Sequence, residues 1–219
     1  MECHERPTKF AEQASADHVI ALGGESQGIE GSTNGLMMLG VGTSWRDIFP
    51  AKFRTTDEAI LRLHEFAGPK QHVKSIHIDN AKELTTAAAG LGWRTDKSTP
   101  YVSESNGIIE REIGLTSEGT RAIIETSGLG SNTWPYAAKH FCHARNFEVQ
   151  RGNSAYHRIH GEGHFTGQEI PYGAEIDFLP PKPKLKKLGK FEPRAVPGVM
   201  MGYHLATGGD GRESTSSPL

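Results

Sequence analysis

Residues 55–79 read TTDEAILRLHEFAGPKQHVKSIHID, and this stretch decides the fold. Thr55 and Glu58 stand three apart in the pattern of a capping box, where a hydroxyl and a carboxylate satisfy the first free N–H groups of a helix. Ala59, Ile60, Leu63, Phe66 and Ala67 then recur at helical spacing, and Gly68-Pro69 stops the pattern, so a helix is predicted over 55–67. From Val73 the period changes to two: Val73, Ser75, His77 and Asp79 share one face of a predicted strand. A helix that feeds a strand ending on a carboxylate is a building unit of a sheet flanked by helices.

Working outward gives the other elements. On the N-terminal side, Asp17 to Leu22 (DHVIAL) is a short strand-like run, and Leu36 to Val41 (LMMLGV) is continuously apolar, as in a strand buried on both faces. Trp45 to Phe49 alternates, and Pro50 at its end suits an edge strand because proline cannot donate to a ladder. The run from Gly23 to Gly35 is a loop; Gly23-Gly24 and Gly28 are followed by no GK[ST], which excludes a P-loop. On the C-terminal side we expect a short Ala-rich helix over 81–89, a strand over 92–99, a long helix over 103–127 and a helix over 133–146 with Pro135 in its first turn. In the long helix Ile109, Ile113, Thr116, Thr120 and Ile123 form one stripe, whereas Gly107, Gly114 and Gly119 each cost about 1 kcal/mol relative to alanine.

The order strand, strand, strand, helix, strand, helix, strand, helix, helix predicts an α/β chain with a mixed five-stranded sheet flanked by helices. We read residues 1–12 as a linker or truncated end, 13–150 as the core and 151–219 as an irregular C-terminal tail. That tail holds the basic, proline-rich run Pro180 to Lys190 and one more strand candidate, Val196 to His204.

The 219 residues carry a net charge of −2, so composition alone gives no nucleic-acid signature and any DNA contact needs a local basic patch. Two cysteines, Cys3 and Cys142, imply no disulfide framework and a reducing compartment. Met1 to Phe10 has no apolar signal region, and no apolar run reaches membrane-spanning length; the expectation is a soluble intracellular chain without membrane contact.

Three acidic residues stand out by position. Asp17 lies at the start of the first strand, Asp79 closes the fourth, and Glu110 lies in the first turns of the long helix. If the first and fourth strands are neighbours, the three carboxylates can meet, and such hard oxygen ligands suit Mg²⁺ or Mn²⁺. Two such ions serve in-line phosphoryl displacement. Without metal the carboxylates repel and at least one pKa rises. Asp47 is a rival carboxylate, placed near an edge. His157, His160 and His164 have metal-like spacing, but Gly161 and Gly163 interrupt the helix that a site would need. His140, Cys142 and His143 point in different directions on a helix and read as packing residues.

Asp79-Asn80-Ala81-Lys82-Glu83-Leu84 resembles the "DNGxEF" motif of retroviral-type integrases. Ser98-Thr99-Pro100-Tyr101, followed by Ser105-Asn106-Gly107-Ile108-Ile109-Glu110-Arg111, resembles their "SxPYxPxxNGxxER" motif. Ala16-Asp17-His18 is similar to the family's first aspartate entering its strand, and Trp134 with Ala137 and Ala138 to its "FWAEA" helix. Downstream, Tyr172-Gly173-Ala174 and the run Pro193-Arg194 to Gly202-Tyr203 resemble the "PR…GVFLGY" segment of copia-type retrotransposon polyproteins. The chain thus resembles the integrase catalytic core of a copia-type Pol polyprotein.

That resemblance implies a ribonuclease H-like fold, Mg²⁺ or Mn²⁺, DNA ends and target DNA as partners, assembly as a homo-oligomer and a nuclear location. It makes Asp17, Asp79 and Glu110 the catalytic, metal-binding triad. Asn80, Asn106 and Arg111 would lie along the nucleic acid, and Lys182, Lys184, Lys186 and Lys187 would be contacts to it, import signals or a solvated linker. The chain departs from the pattern in two places: Ala81 stands where the family usually has glycine, and the 30 residues between Asp79 and Glu110 are a few short. The alternatives are a nucleic-acid-binding module of a retrotransposon-derived protein that has lost catalysis, and a related nuclease that only hydrolyses.

Overall fold

The computed structural model describes residues 7–21, 27–69, 71–97, 107–150, 152–161, 167–180, 191 and 193–203. Cys3, Asn106, His164, Lys182, Lys184, Lys186 and Lys187 lie outside these described residues. In chain order the elements are β1 (Gln13–Ile20), β2 (Asn34–Gly40), β3 (Trp45–Ala51), α1 (Thr56–Ala67), β4 (Ser75–Ile78), α2 (Lys82–Gly90) and β5 (Arg94–Lys97). They are followed by α3 (Gly107–Ser127), α4 (Trp134–Phe147), α5 (Ala155–His160), β6 (Glu175–Phe178) and β7 (Val196–Val199). Every element expected within 13–150 is present in the expected order. Thr55 caps α1, its hydroxyl accepting from the Glu58 N–H at 3.3 Å, and Gly68 closes the helix at φ 78°, a conformation that favours glycine.

Five strands form one sheet in the order β3-β2-β1-β4-β5. β1 is antiparallel to β2, and β2 to β3; β1 and β4 are parallel, as are β4 and β5. This mixed sheet flanked by helices is compatible with a ribonuclease H-like fold.

Alternation along the strands divides the core in two. Ala14, Ala16, Leu36, Met38, Phe49, Ile76 and Ile78 face α1, α2 and α5, packing on Leu63, Phe66, Leu84, Ala87 and Ala155. Met37, Leu39 and Ile48 face α3 and α4, packing on Ile109, Ala138 and Cys142. β2 is buried on both faces, as its unbroken apolar run predicts. Gly119, a weak helix former in isolation, has a packing role. A Cβ there would come within 2.0 Å of the Phe141 ring, so its absence lets α3 and α4 approach.

β3 is one of the two edge strands. Its outward backbone groups meet Asn146 of α4: the Arg46 N–H donates to Asn146 Oδ1 at 3.0 Å, and Asn146 Nδ2 donates to the Arg46 carbonyl at 2.8 Å. The Arg46 side chain reaches the other way, to Glu112 of α3 at 2.7 Å.

The described residues beyond 150 form more regular structure than their composition suggests. α5 joins the α1–α2 core through Ala155, Tyr156 and Ile159. β6 and β7 pair as an antiparallel ribbon. Tyr203 stacks on His143 with ring centroids 4.3 Å apart and on His140 at 5.7 Å, while the Tyr172 hydroxyl donates to the Thr133 carbonyl at 3.3 Å. No helix among the described residues is long and apolar enough to cross a membrane.

Two measurements test this packing. Asn146→Ala strands a buried N–H and C=O of β3 and should cost about 2–4 kcal/mol in urea denaturation. Burial, then the neighbouring His140, pushes His143 down from 6.5 to about 4. The native state therefore binds fewer protons than the unfolded chain, and stability present above pH 6.5 is lost as pH falls towards 4. His143→Phe should flatten the stability profile in that window.

Candidate functional site

Ala14 and Ala16 point into the α1–α2 core, so Asp17, next along β1, belongs to the opposite face of the sheet, where Val19 packs against the α3–α4 cluster. Ala16 pairs with Ile78 of β4, and Ile76 and Ile78 also point into the α1–α2 core. That is the last paired position of the ladder; Asp17 follows within β1, and Asp79 follows just past the end of β4. On α3, Glu110 is exposed and follows Ile109, which is buried against the same sheet face. Sheet register therefore delivers two carboxylates, and the packing of one isoleucine delivers the third.

The electrostatics agree with that placement. Burial raises the Asp17 carboxyl above its usual range; a hydrogen bond from the His18 N–H opposes this, and the charges of Asp79 and Glu110 push it further up, with Arg54 pulling it down. Asp17 Oδ1 accepts from the His18 N–H at 2.7 Å, and Asp79 Oδ1 accepts from the Ala81 N–H at 2.9 Å. Asp79 thus shapes the turn into α2. Ala81 sits at φ −59°, ψ 119°, so the alanine in place of the resemblance's glycine strains nothing.

Asp17 of β1, whose carboxyl feels the charges of Asp79 just after β4 and Glu110 at the start of α3, forms with them a set that matches by charge and donor type the hard-oxygen ligands of Mg²⁺ or Mn²⁺. They are coupled without being drawn together: among the described residues, no group of three or more His, Cys, Asp or Glu side chains stands close enough to hold a metal ion.

Behind the aspartates lies a cluster that sequence reasoning missed. Glu83 of α2 receives Arg54 Nη2 at 2.9 Å and stands 3.4 Å from His18 Nε2. Burial, then the Arg54 charge, lowers the His18 pKa against the pull of Glu83 and Asp79. These residues lie 65 and 29 positions from Glu83 in the chain, so no local signal joins them.

The other candidates fall into place around this site. Asn80 is exposed beside Asp79, and Arg111 is exposed beside Glu110 without an ion pair among the described residues. Asp47, half-buried on β3, is separated from β1 by β2; burial pushes its carboxyl up to about 6, against Lys139 and the Ile48 N–H. Cys142 lies in the α3–α4 core and His140 packs against Tyr172 and Tyr203. His157 and His160 share α5, which Gly161 ends at φ 67°.

No family model matches the chain, and no curated protein matches it.

Asp79→Asn tests the electrostatic coupling, since it keeps an acceptor for the Ala81 N–H and removes one charge. Without metal, the Asp17 carboxyl should fall towards its ordinary 3.8 in a carbon-13 NMR titration. A raised carboxyl stabilises the fold only at low pH, so the wild type should lose more stability than the variant as pH rises past 4. Stabilisation by added Mn²⁺ in thermal melts should shrink in the variant.

Proposed function

We propose that the chain is the core of a divalent-metal-dependent polynucleotidyl transferase of integrase type, acting on DNA ends. The observation that carries this reading is that the charges of Asp79 and Glu110 both raise the Asp17 carboxyl, three acids supplied by β1, the turn after β4 and the start of α3. Like charge around a half-buried carboxyl is costly, and a divalent cation would offset it.

Asp17 and Asp79, fixed by the β1–β4 ladder, and Glu110, carried by α3, would hold the ions. Bound Mg²⁺ or Mn²⁺ would supply charge to activate an attacking oxygen and to steady the leaving one. In the first reaction water attacks a phosphodiester near a DNA 3′ end, and the bond to the departing strand breaks. In the second, the freed 3′ hydroxyl attacks a phosphodiester of the target, forming a new bond to phosphorus while the old 3′ oxygen leaves. Asn80 and Arg111 flank the carboxylates on the exposed side and would orient the phosphates. Asn106 and the lysines 182, 184, 186 and 187 are further DNA contacts on this reading, and a nuclear location follows from the role.

A second reading, a module that binds nucleic acid without catalysis, is favoured by one observation: the three carboxylates do not converge to ligand distance among the described residues. A Mn²⁺-dependent cleavage and joining assay on a branched DNA mimic of the integration product separates the two. Integrase function predicts joining by the wild type and none by Asp79→Asn. Metal-independent binding that weakens with salt, with no cleavage by either protein, would establish the non-catalytic module.

A further inference from the structure

The end of the sheet at which β1, β3 and β4 finish also carries an exposed feature that the carboxylate chemistry does not use. β3 ends at Ala51, and the next residues are Lys52, Phe53 and Arg54. Phe53 is 72% exposed, and it makes no ring contact with another described residue. Ile20, at the end of β1, is 53% exposed, and Ile29, in the loop before β2, is 59% exposed. Lys52 and Arg54 flank this ring in sequence, so the position joins an exposed aromatic to two cations.

The segment is firmly rooted. The Ala51 carbonyl accepts from the Thr33 N–H at 3.0 Å and from Asn34 Nδ2 at 3.1 Å, and the Lys52 carbonyl accepts from the Thr33 hydroxyl at 2.9 Å. Lys52 is exposed and forms no ion pair among the described residues. Arg54 pairs with Glu83, yet it remains 39% exposed and its charge reaches Asp17. Phe53 therefore follows a hydrogen-bonded backbone anchor and stands in sequence between two cations, one of which is tied through Glu83 to His18 on the strand that bears Asp17.

We propose that Lys52-Phe53-Arg54 is a stacking platform for an unpaired nucleotide at a DNA end, Phe53 taking the base and the two cations the flanking phosphates. This rests on the reading of the neighbouring carboxylates as a DNA-processing site. It adds a substrate class to that reading: a frayed or single-stranded end rather than a fully paired one. An aromatic face accepts any base, so the platform selects for strand separation and not for sequence. A protein partner is the less favoured occupant, because phosphates match the two cations directly.

The test uses the full chain carrying Asp79→Asn, in EDTA at low salt, with a fluorescent single-stranded oligonucleotide and a blunt duplex as probes. In that background Phe53→Ala should weaken single-strand binding about tenfold, the worth of one base–aromatic stack, and leave duplex binding unchanged. Phe53→Trp should retain binding, and Lys52→Gln should reduce the salt slope by about 0.7. With 72% of Phe53 in solvent, these variants should melt with the parent, which separates lost binding from lost fold. Equal affinity of Phe53→Ala and its parent for the single strand would overturn the platform. So would a change in self-association, seen by sedimentation, with DNA binding unaltered. If Phe53-dependent binding is found while the wild type never cleaves or joins, the platform stands and the catalytic reading falls. If the wild type joins DNA and Phe53→Ala neither weakens binding nor slows joining, the catalytic reading stands and the platform falls.

Discussion

Parallel pairing of β1 with β4, Ala16 beside Ile78, is the contact on which the rest of the site depends. β1 lies in the middle of the sheet, antiparallel to β2 on one side and parallel to β4 on the other. Its register is held from both sides, because a slip by one residue would turn Ala14 and Ala16 out of the α1–α2 core. The same slip would carry Asp17 to the wrong face. Placement of the carboxylates is therefore a by-product of burying alanines, and it needs no dedicated scaffold.

The fold offsets the cost of that placement locally. Asp17 is half-buried and crowded by like charge, and the one cation pulling its carboxyl down is Arg54, which is itself steadied by Glu83. Glu83 also stands by His18, so a single carboxylate of α2 ties the segment after β3 to the strand bearing Asp17.

Much of the fold was legible because the signals were local. The Thr55 cap, the α1 stripe, the uninterrupted run of β2 and the proline at the end of β3 each express a short-range constraint, and each element formed where that constraint placed it. β1 was harder: it begins at Gln13, four residues before the apolar run, because Ala14, Ser15 and Ala16 are buried through small size and not through hydrophobicity. Asp17, expected at the start of the first strand, lies inside β1, and Asp79, expected to close the fourth, lies one residue past β4, while Glu110 lies in the first turn of α3 as expected. Long-range polar partners were not legible, since nothing near Arg46 announces Glu112 or Asn146, and nothing near His143 announces Tyr203. Beyond 150, glycine and proline hid an ordered helix and ribbon whose anchors are single aromatic residues.

Asn146 gives the edge of the sheet a further property. By answering both the N–H and the C=O of Arg46 with one amide, it occupies the position that an incoming strand would take. Growth of the sheet by recruiting another chain is thereby closed on the β3 side. The opposite border, β5, is four residues long and reads Arg-Thr-Asp-Lys, too short and too charged to template an extended partner. Among the described residues, both borders of the central sheet are thus poor templates for a further strand.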